Sequence, residues 1–154
     1  MTRAERAEAY FKEGYNCAQA VALTFQDLMG VDKETLLKLS SSFGGGLGRL
    51  REVCGAVSGM AFVMGSVSGY SDPKDAEGKA AHYSRLQDMA AKFKKYTGSN
   101  VCRELLGGAP AGGAPEARTE AYYKKRPCAA LVRLAAAIVA EELLSEHDEC
   151  LDEV

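Results

Sequence analysis

The stretch from Phe43 to Tyr70 constrains the fold more than any other part of this chain. It opens with a run of glycines, and no charged side chain occurs between Val53 and Ser71. Its apolar residues recur at spacings of three and four, which is typical of one face of a helix: Leu50, Val53, Cys54, Val57, Ala61 and Met64. Glycine and serine dilute the hydropathy too far for a membrane span. We therefore expect a buried central helix in the core of a domain.

The remainder of the chain also predicts helices. Thr2 with Glu5 and Asn16 with Gln19 have the spacing of capping boxes. Apolar spacing and stop signals place further helices at about 2–14, 17–29, 32–39, 75–96, 100–107 and from 126 onward. No stretch shows the alternation typical of strands. The fold should therefore be an all-α, single-domain multi-helix bundle of about five to seven helices around the glycine-rich central helix.

Length and composition set the expected domain organisation. A chain of 154 residues fits one domain that buries about two thirds of its unfolded surface. We place that domain over residues 1–154. Within it, residues 107–119 are rich in Gly, Ala and Pro and predict a flexible loop, and residues 146–154 form an acidic tail.

The net charge and the N-terminal residues limit the classes of partner and the cellular location that we expect. The formal net charge is −2, and Lys and Arg are scattered among acids, so we expect no nucleic-acid partner and no membrane partner. The first ten residues, MTRAERAEAY, lack an apolar run, which predicts no signal peptide. We expect a cytoplasmic protein with reduced thiols. A homodimer is the oligomer that general frequency favours.

Four of the five cysteines fall at or near predicted helix N-termini: Cys17, Cys54, Cys102 and Cys128. Unpaired N–H groups and the helix dipole at such positions favour the thiolate and lower its pKa. Arg49, Arg51 and Arg103 would add positive charge if they turned inward. If the four N-termini converge, the cysteines would form one reactive or metal-ligating site. The alternative is that the four thiols are buried and only fill space in the core. Cys150 lies in the acidic tail and is not part of this set.

The glycine run provides a second set of candidates. Gly46, Gly48 and Arg49 are predicted to bind an anion or a small cofactor, although the run has no preceding strand and no Gly-Lys-Ser/Thr ending. Gly55 and Gly59 follow in the central helix and belong to the same candidate set. The alternative for these glycines is that they allow another part of the backbone to approach closely.

Four stretches of the chain resemble the bacterial C_GCAxxG_C_C family, which is named after its cysteines. They are GYNCAQAV around Cys17, FGGGLGRLREVCGAVSG around Cys54, VCRELLG around Cys102, and the helix start at Pro127-Cys128. The order Cys54-Gly55-Ala56 departs from the Gly-Cys-Ala of the family label. The resemblance implies an all-α cytoplasmic protein whose four cysteines are proposed to do redox chemistry, and similar domains occur linked to electron-transfer proteins. We expect an unknown redox partner protein. It implies no defined substrate.

Three functions remain open for the four cysteines. The first is an electron-transfer protein that holds an iron–sulfur cluster, for which four thiolates are the right number. The second is a metal-free thiol–disulfide oxidoreductase, in which a thiolate such as Cys17 attacks and a partner such as Cys54 resolves the intermediate. The third is a structural zinc-binding or helical interaction module, although the closely spaced cysteine pairs of structural zinc sites are absent.

Overall fold

The computed structural model describes residues 1–152 as helices joined by turns, which confirms the all-α prediction. The helices are α1 (Arg3–Lys12), α2 (Cys17–Thr24), α3 (Lys33–Ser40), α4 (Gly44–Leu47), α5 (Gly55–Ser68), α6 (Ala76–Thr97), α7 (Cys102–Leu105), α8 (Glu120–Lys125) and α9 (Cys128–Leu144). Short 3₁₀ turns occupy Gln26–Leu28, Ser41–Phe43 and Glu149–Leu151. These residues contain no β-strand, and one antiparallel bridge joins Val53 to Val101.

The hydrophobic core lies between α1, α2, α5 and α9, with α6 packed across α5 and α9. Helix α9 is embedded along most of its length, and its buried positions include Ala135, Ala136 and Ala137. Small side chains on this helix let its neighbours approach closely. In α6, Met89 and Phe93 are buried on the predicted apolar stripe. The core therefore extends along α2, along α9 as far as Ala140, and along the first ten residues of α5.

Helix α5 begins later than the sequence pattern predicts. Its first residue is Gly55, and Leu50 and Val53 lie in the preceding loop with 52% and 49% of their surface exposed. Val53 pairs with Val101, and Arg51 has a left-handed φ of 61°, so the chain cannot be helical there. Burial on α5 is confined to residues 55–64, and residues 65–69 are exposed. Within residues 1–152, no helix is long and apolar enough to cross a membrane.

Two other boundaries differ from the sequence prediction, and one helix is additional to it. Helix α2 ends at Thr24 rather than near residue 29, and the chain continues as a 3₁₀ turn. Asn100 does not cap α7, because its carbonyl accepts the Cys54 N–H and Val101 stands between it and the helix. Helix α8 is not predicted by the apolar spacing, and the Thr119 hydroxyl caps it by accepting the Tyr122 N–H.

The predicted loop over residues 107–119 contains no helix and lies against the glycine run. The Gly112 N–H donates to the Arg49 carbonyl over 2.8 Å, and the Arg49 Nε–H donates to the Gly112 carbonyl over 3.0 Å. The predicted tail over residues 146–154 is described as far as residue 152. Its Leu151 is buried, and the Leu151 carbonyl accepts a hydrogen bond from Tyr96 Oη at 2.8 Å.

Gly59 lies at a close contact between α2 and α5. A Cβ atom added there would lie 2.8 Å from the Val21 Cβ and 3.1 Å from the Ala18 carbonyl oxygen. Both distances are shorter than an ordinary van der Waals contact. Gly59 therefore has the packing role that the sequence analysis offered as an alternative.

We expect Gly59→Ala to lower the free energy of unfolding by about 1–2 kcal/mol, because overpacking outweighs the gain in helix propensity. The matched control is Gly65→Ala in the same helix, where an added Cβ meets no atom within 4 Å. That change should raise the free energy of unfolding by about 0.5–1 kcal/mol. Urea unfolding of both variants gives the comparison, and equal stabilities would contradict the close contact at Gly59.

Candidate functional site

Four thiols line one cavity of about 50 Å³. They belong to the cysteines that the sequence analysis selected: Cys17, Cys54, Cys102 and Cys128. A cavity of this size has room for a few water molecules. We call it the thiol cavity. The structure thus brings the predicted set together, and Cys150 lies outside it.

Each of these cysteines stands at a helix N-terminus, as predicted. Cys17, Cys102 and Cys128 are the first residues of α2, α7 and α9, and Cys54 directly precedes α5. The start of α2 is fixed by Asn16, whose side chain accepts the Gln19 N–H in the predicted capping box. The thiol cavity is therefore a place where the N-termini of four helices meet.

A short backbone ladder places Cys54 beside Cys102. The Cys54 N–H donates to the Asn100 carbonyl over 2.8 Å, and the Cys102 N–H donates to the Glu52 carbonyl over 2.6 Å. Neighbouring residues in such a ladder face opposite sides, so both cysteines lie on the side away from Val53. They are diagonal neighbours across the Val53–Val101 bridge.

Two candidate glycines make room for the thiols. A Cβ atom on Gly46 would lie 2.6 Å from the Cys102 Cβ, and one on Gly55 would lie 3.0 Å from the Cys17 Cβ. Both glycines line the thiol cavity. A side chain at either position would displace a cysteine, so these glycines determine the shape of the site.

The glycine run, which contains the short segment α4, is left-handed from Gly45 onward and is not a regular α-helix. The five residues of 45–49 have φ values between 55° and 68°, which glycine adopts readily and Leu47 and Arg49 do not. Hydrogen bonds from the Arg51 N–H to the Gly45 carbonyl and from the Glu52 N–H to the Gly46 carbonyl close the turn. Strained backbone of this kind concentrates at functional sites.

Cys17 and Cys128 both line the thiol cavity, and each shifts the pKa of the other. A hydrogen bond from the Cys17 thiol to the Cys128 thiolate is the largest cause that lowers the pKa of Cys128, to about 7. Positive charge on Arg126, Arg118 and Arg51 lowers it further, against the effect of burial. The same hydrogen bond raises the pKa of Cys17 well above its usual value. The thiolate of the pair therefore resides on Cys128.

Cys54 behaves differently from Cys128. Burial is the largest effect and raises the pKa of Cys54 to about 11, although the N–H groups of Ala56 and Val57 favour its thiolate. The prediction that a helix N-terminus lowers the pKa of every one of the four thiols is thus wrong for Cys17 and Cys54. At Cys54, desolvation raises the pKa by more than the first turn of α5 lowers it. At Cys17 the interaction with Cys128 is the larger cause.

Arg51 is the most deeply buried cation of the site, with 4% of its surface exposed. Its Nη1–H points to the Cys102 sulfur at 3.8 Å, and its Nε–H donates to the Pro110 carbonyl over 3.2 Å. No carboxylate oxygen among residues 1–152 lies within 4.0 Å of its guanidinium. Since a buried charge is costly without a counter-charge, Arg51 favours the thiolate form of Cys128 in the same cavity. Arg103 instead turns outward towards Glu52.

Two further arginines of the site, Arg118 and Arg126, were not predicted from the sequence. The Arg118 guanidinium lies 4.4 Å from the Phe11 ring centre and 4.8 Å from the Tyr122 ring centre, and it donates to the Phe11 and Tyr15 carbonyls. Arg126 stacks on Tyr122 from the other end of α8. The partners of Arg118 are about a hundred residues away in sequence, so no local signal identified it.

The described residues do not form a site for a single metal ion. Among residues 1–152, no three His, Cys, Asp or Glu side chains are grouped so that they could hold a metal ion. The four thiols match an iron–sulfur cluster in number, but they are not grouped closely enough to hold a single metal ion. We therefore derive no chemical step through a cluster.

The fold and the thiol cavity define an all-α protein with a four-thiol site. The model of a family described as "Putative redox-active protein (C_GCAxxG_C_C)" matches residues 15–142, a range that includes all four thiols and leaves out Cys150. The chain belongs to this C_GCAxxG_C_C family, as the sequence resemblance indicated. No curated protein and no solved structure shows significant similarity to the chain.

The pKa of Cys128 can be tested through its alkylation by iodoacetamide, followed at each pH by mass spectrometry. We expect the rate to rise with pH around a midpoint near 7, because only the thiolate reacts. Cys17→Ala removes the hydrogen-bond donor, so the midpoint should move to higher pH and the rate at pH 7 should fall several-fold. Cys150→Ala is the matched control and should leave the midpoint in place. An unchanged midpoint in Cys17→Ala would rule out the hydrogen bond as its cause.

Proposed function

We propose that the protein is a thiol–disulfide redox protein in which Cys128 is the attacking thiolate and Cys17 is its partner thiol. The observation that carries this proposal is that Cys17 and Cys128 line one cavity with Arg51, Arg118 and Arg126. The Cys17 thiol and these three charges lower the pKa of Cys128 to about 7. A thiolate that forms near neutral pH, with a second thiol in contact, is what disulfide exchange requires. This assignment replaces the sequence-based hypothesis in which Cys17 attacks and Cys54 resolves.

The exchange takes place in two steps. The Cys128 thiolate attacks one sulfur of a disulfide, a bond forms between the two sulfurs, and the other half of the substrate leaves as a thiolate. Cys17 then gives up its proton and attacks the Cys128 sulfur, so that a Cys17–Cys128 disulfide forms and the second half leaves. Two electrons pass from the two cysteines to the substrate. The proton of Cys17 and one from solvent complete the two released thiols.

The dithiol must be regenerated for a second turnover. We assign this step to a redox partner protein, whose own two thiols are oxidised to a disulfide as the Cys17–Cys128 disulfide is reduced. The proposed location is the cytoplasm, where such dithiols are kept reduced. Cys54 and Cys102 complete the wall of the thiol cavity and are not required for the exchange.

Mild oxidation should therefore join Cys17 to Cys128. We expect peptide mapping without reductant, after treatment with one equivalent of diamide, to find this crosslink first. Cys128→Ser should abolish it and Cys150→Ser should not. A first crosslink between Cys54 and Cys102, or four thiols that remain unreacted, would overturn the assignment.

A second candidate function is supported by the convergence of all four thiols on one cavity at helix N-termini. An iron–sulfur cluster has the same ligand number, and helix N-termini would offset its negative charge. In that case the protein would transfer single electrons, and the cysteines would have to move into ligand positions.

Anaerobic purification with assays of iron, sulfide and zinc separates the candidates. The exchange proposal predicts a colourless protein with all of its thiols titratable. Sulfide-linked iron with visible absorption, both lost in Cys54→Ser, would establish the cluster instead. Zinc alone, with thiols that do not react, would support the structural module considered in the sequence analysis.

A further inference from the structure

A second cavity of about 240 Å³ adjoins the thiol cavity. The two share six lining residues: Asn16, Gly45, Arg51, Arg118, Tyr122 and Arg126. Its wall also includes Gly48 and Arg49, two of the residues that the sequence analysis selected for anion binding. We call this cavity the arginine cleft, after Arg49, Arg51, Arg118 and Arg126.

The arginine cleft carries more positive charge than its own residues balance. Its lining contains four guanidinium groups and one carboxylate, that of Glu116. Glu116 forms an ion pair with Arg126 and lies 3.9 Å from Arg49. Within residues 1–152, neither Arg51 nor Arg118 has a carboxylate oxygen within 4.0 Å.

Solvent does little to compensate this charge. The Arg49 and Arg126 side chains have 16% and 11% of their surface exposed, and Arg51 has 4%. Cations withdrawn from water are costly without an opposite charge nearby. The arrangement therefore favours an anion in the cleft.

The guanidinium groups are also held in place before any ligand arrives. Arg118 lies between aromatic rings and donates to two carbonyl oxygens. The Nε–H groups of Arg49 and Arg51 donate to carbonyls of the loop over residues 107–119. Groups fixed in this way lose little entropy on binding, and the planar fork of arginine matches a carboxylate or a phosphate.

We propose that the arginine cleft binds the anionic group, a carboxylate or a phosphate, of a low-molecular-weight disulfide whose sulfur atoms reach the adjoining thiol cavity. A cleft of about 240 Å³ suits a small molecule. This inference rests on the proposed function and names the substrate class for the exchange at Cys128. The bound anion would lie near Arg51 and Arg118, the two cations of the cleft that have no carboxylate partner within residues 1–152.

The test compares three small disulfides that differ in charge: dithiodipropionate, a dianion; hydroxyethyl disulfide, which is neutral; and cystamine, a dication. The reduced protein is mixed with each, and formation of the Cys17–Cys128 disulfide is timed. Each rate is divided by the rate of the same disulfide with free dithiothreitol. We expect the dianion to react about tenfold or more faster than the neutral disulfide, and the dication to be slowest. Added salt should reduce the difference.

Arginine variants test whether the preference for the dianion comes from the arginine cleft. Arg49→Gln removes a cleft charge that is not among the causes of the low pKa of Cys128, and the dianion-to-neutral ratio should fall several-fold. Arg49→Lys should keep most of the ratio. The matched control is Arg85→Gln on α6, which removes a cation outside the cleft and should leave the ratio unchanged.

The outcomes separate this inference from the proposed function. Oxidation of Cys17 and Cys128 by all three disulfides without preference for the dianion would overturn the inference and leave the function standing.

If none of the three disulfides oxidises the pair, the proposed function fails. Anion binding in the arginine cleft is then tested separately with thiodipropionate. This dianion has no disulfide, and it should slow alkylation of Cys128 by iodoacetamide, whereas neutral thiodiethanol should not. Equal rates with both would overturn anion binding as well.

Discussion

The close contact between α2 and α5 determines where the thiols can lie. Because Gly59 and Gly55 have no side chains, α2 packs against the start of α5 with Val21 and Cys17 in the vacant space. The first residue of α2 then lies next to the first residue of α5. Helix α9 packs on both helices and brings Cys128 to the same place. The site is thus a consequence of helix packing, and four N-termini converge in it without any short cysteine motif.

The four thiols converge but are not equivalent, because burial and the helix N-terminus shift a thiol pKa by different amounts. A helix N-terminus contributes at most about 2 kcal/mol to a nearby anion, which is about 1.5 pKa units. Full burial can shift a pKa by about 3–5 units in the opposite direction. Burial therefore prevails at Cys54. At Cys128 a donated hydrogen bond and three cations are added to the helix N-terminus, and the pKa falls to about 7. The arginines and the neighbouring thiol decide which cysteine is reactive.

The sequence predicts the features of this site that depend on neighbouring residues. A capping box is a local interaction, so Asn16 and Gln19 locate the start of α2 and hence Cys17. The pairing of Cys17 with Cys128, and the place of Arg118, depend on contacts between distant segments and leave no local pattern. The apolar spacing predicts too early a start for α5, because this spacing continues through the loop before Gly55. The left-handed turn and the pairing of Val53 with Val101 prevent that loop from being helical.

The cations of the site also bear on the direction of electron flow. They stabilise a thiolate, which exists only in the reduced protein, and oxidation to a disulfide removes that anion while the cations remain. Stabilising the reduced form makes the disulfide a stronger oxidant. A disulfide between Cys17 and Cys128 would therefore accept electrons readily from a partner dithiol. An anionic substrate in the arginine cleft would supply the missing negative charge as the thiolate is consumed. Binding of the anion and oxidation of the thiols would then favour each other, since such coupling is reciprocal.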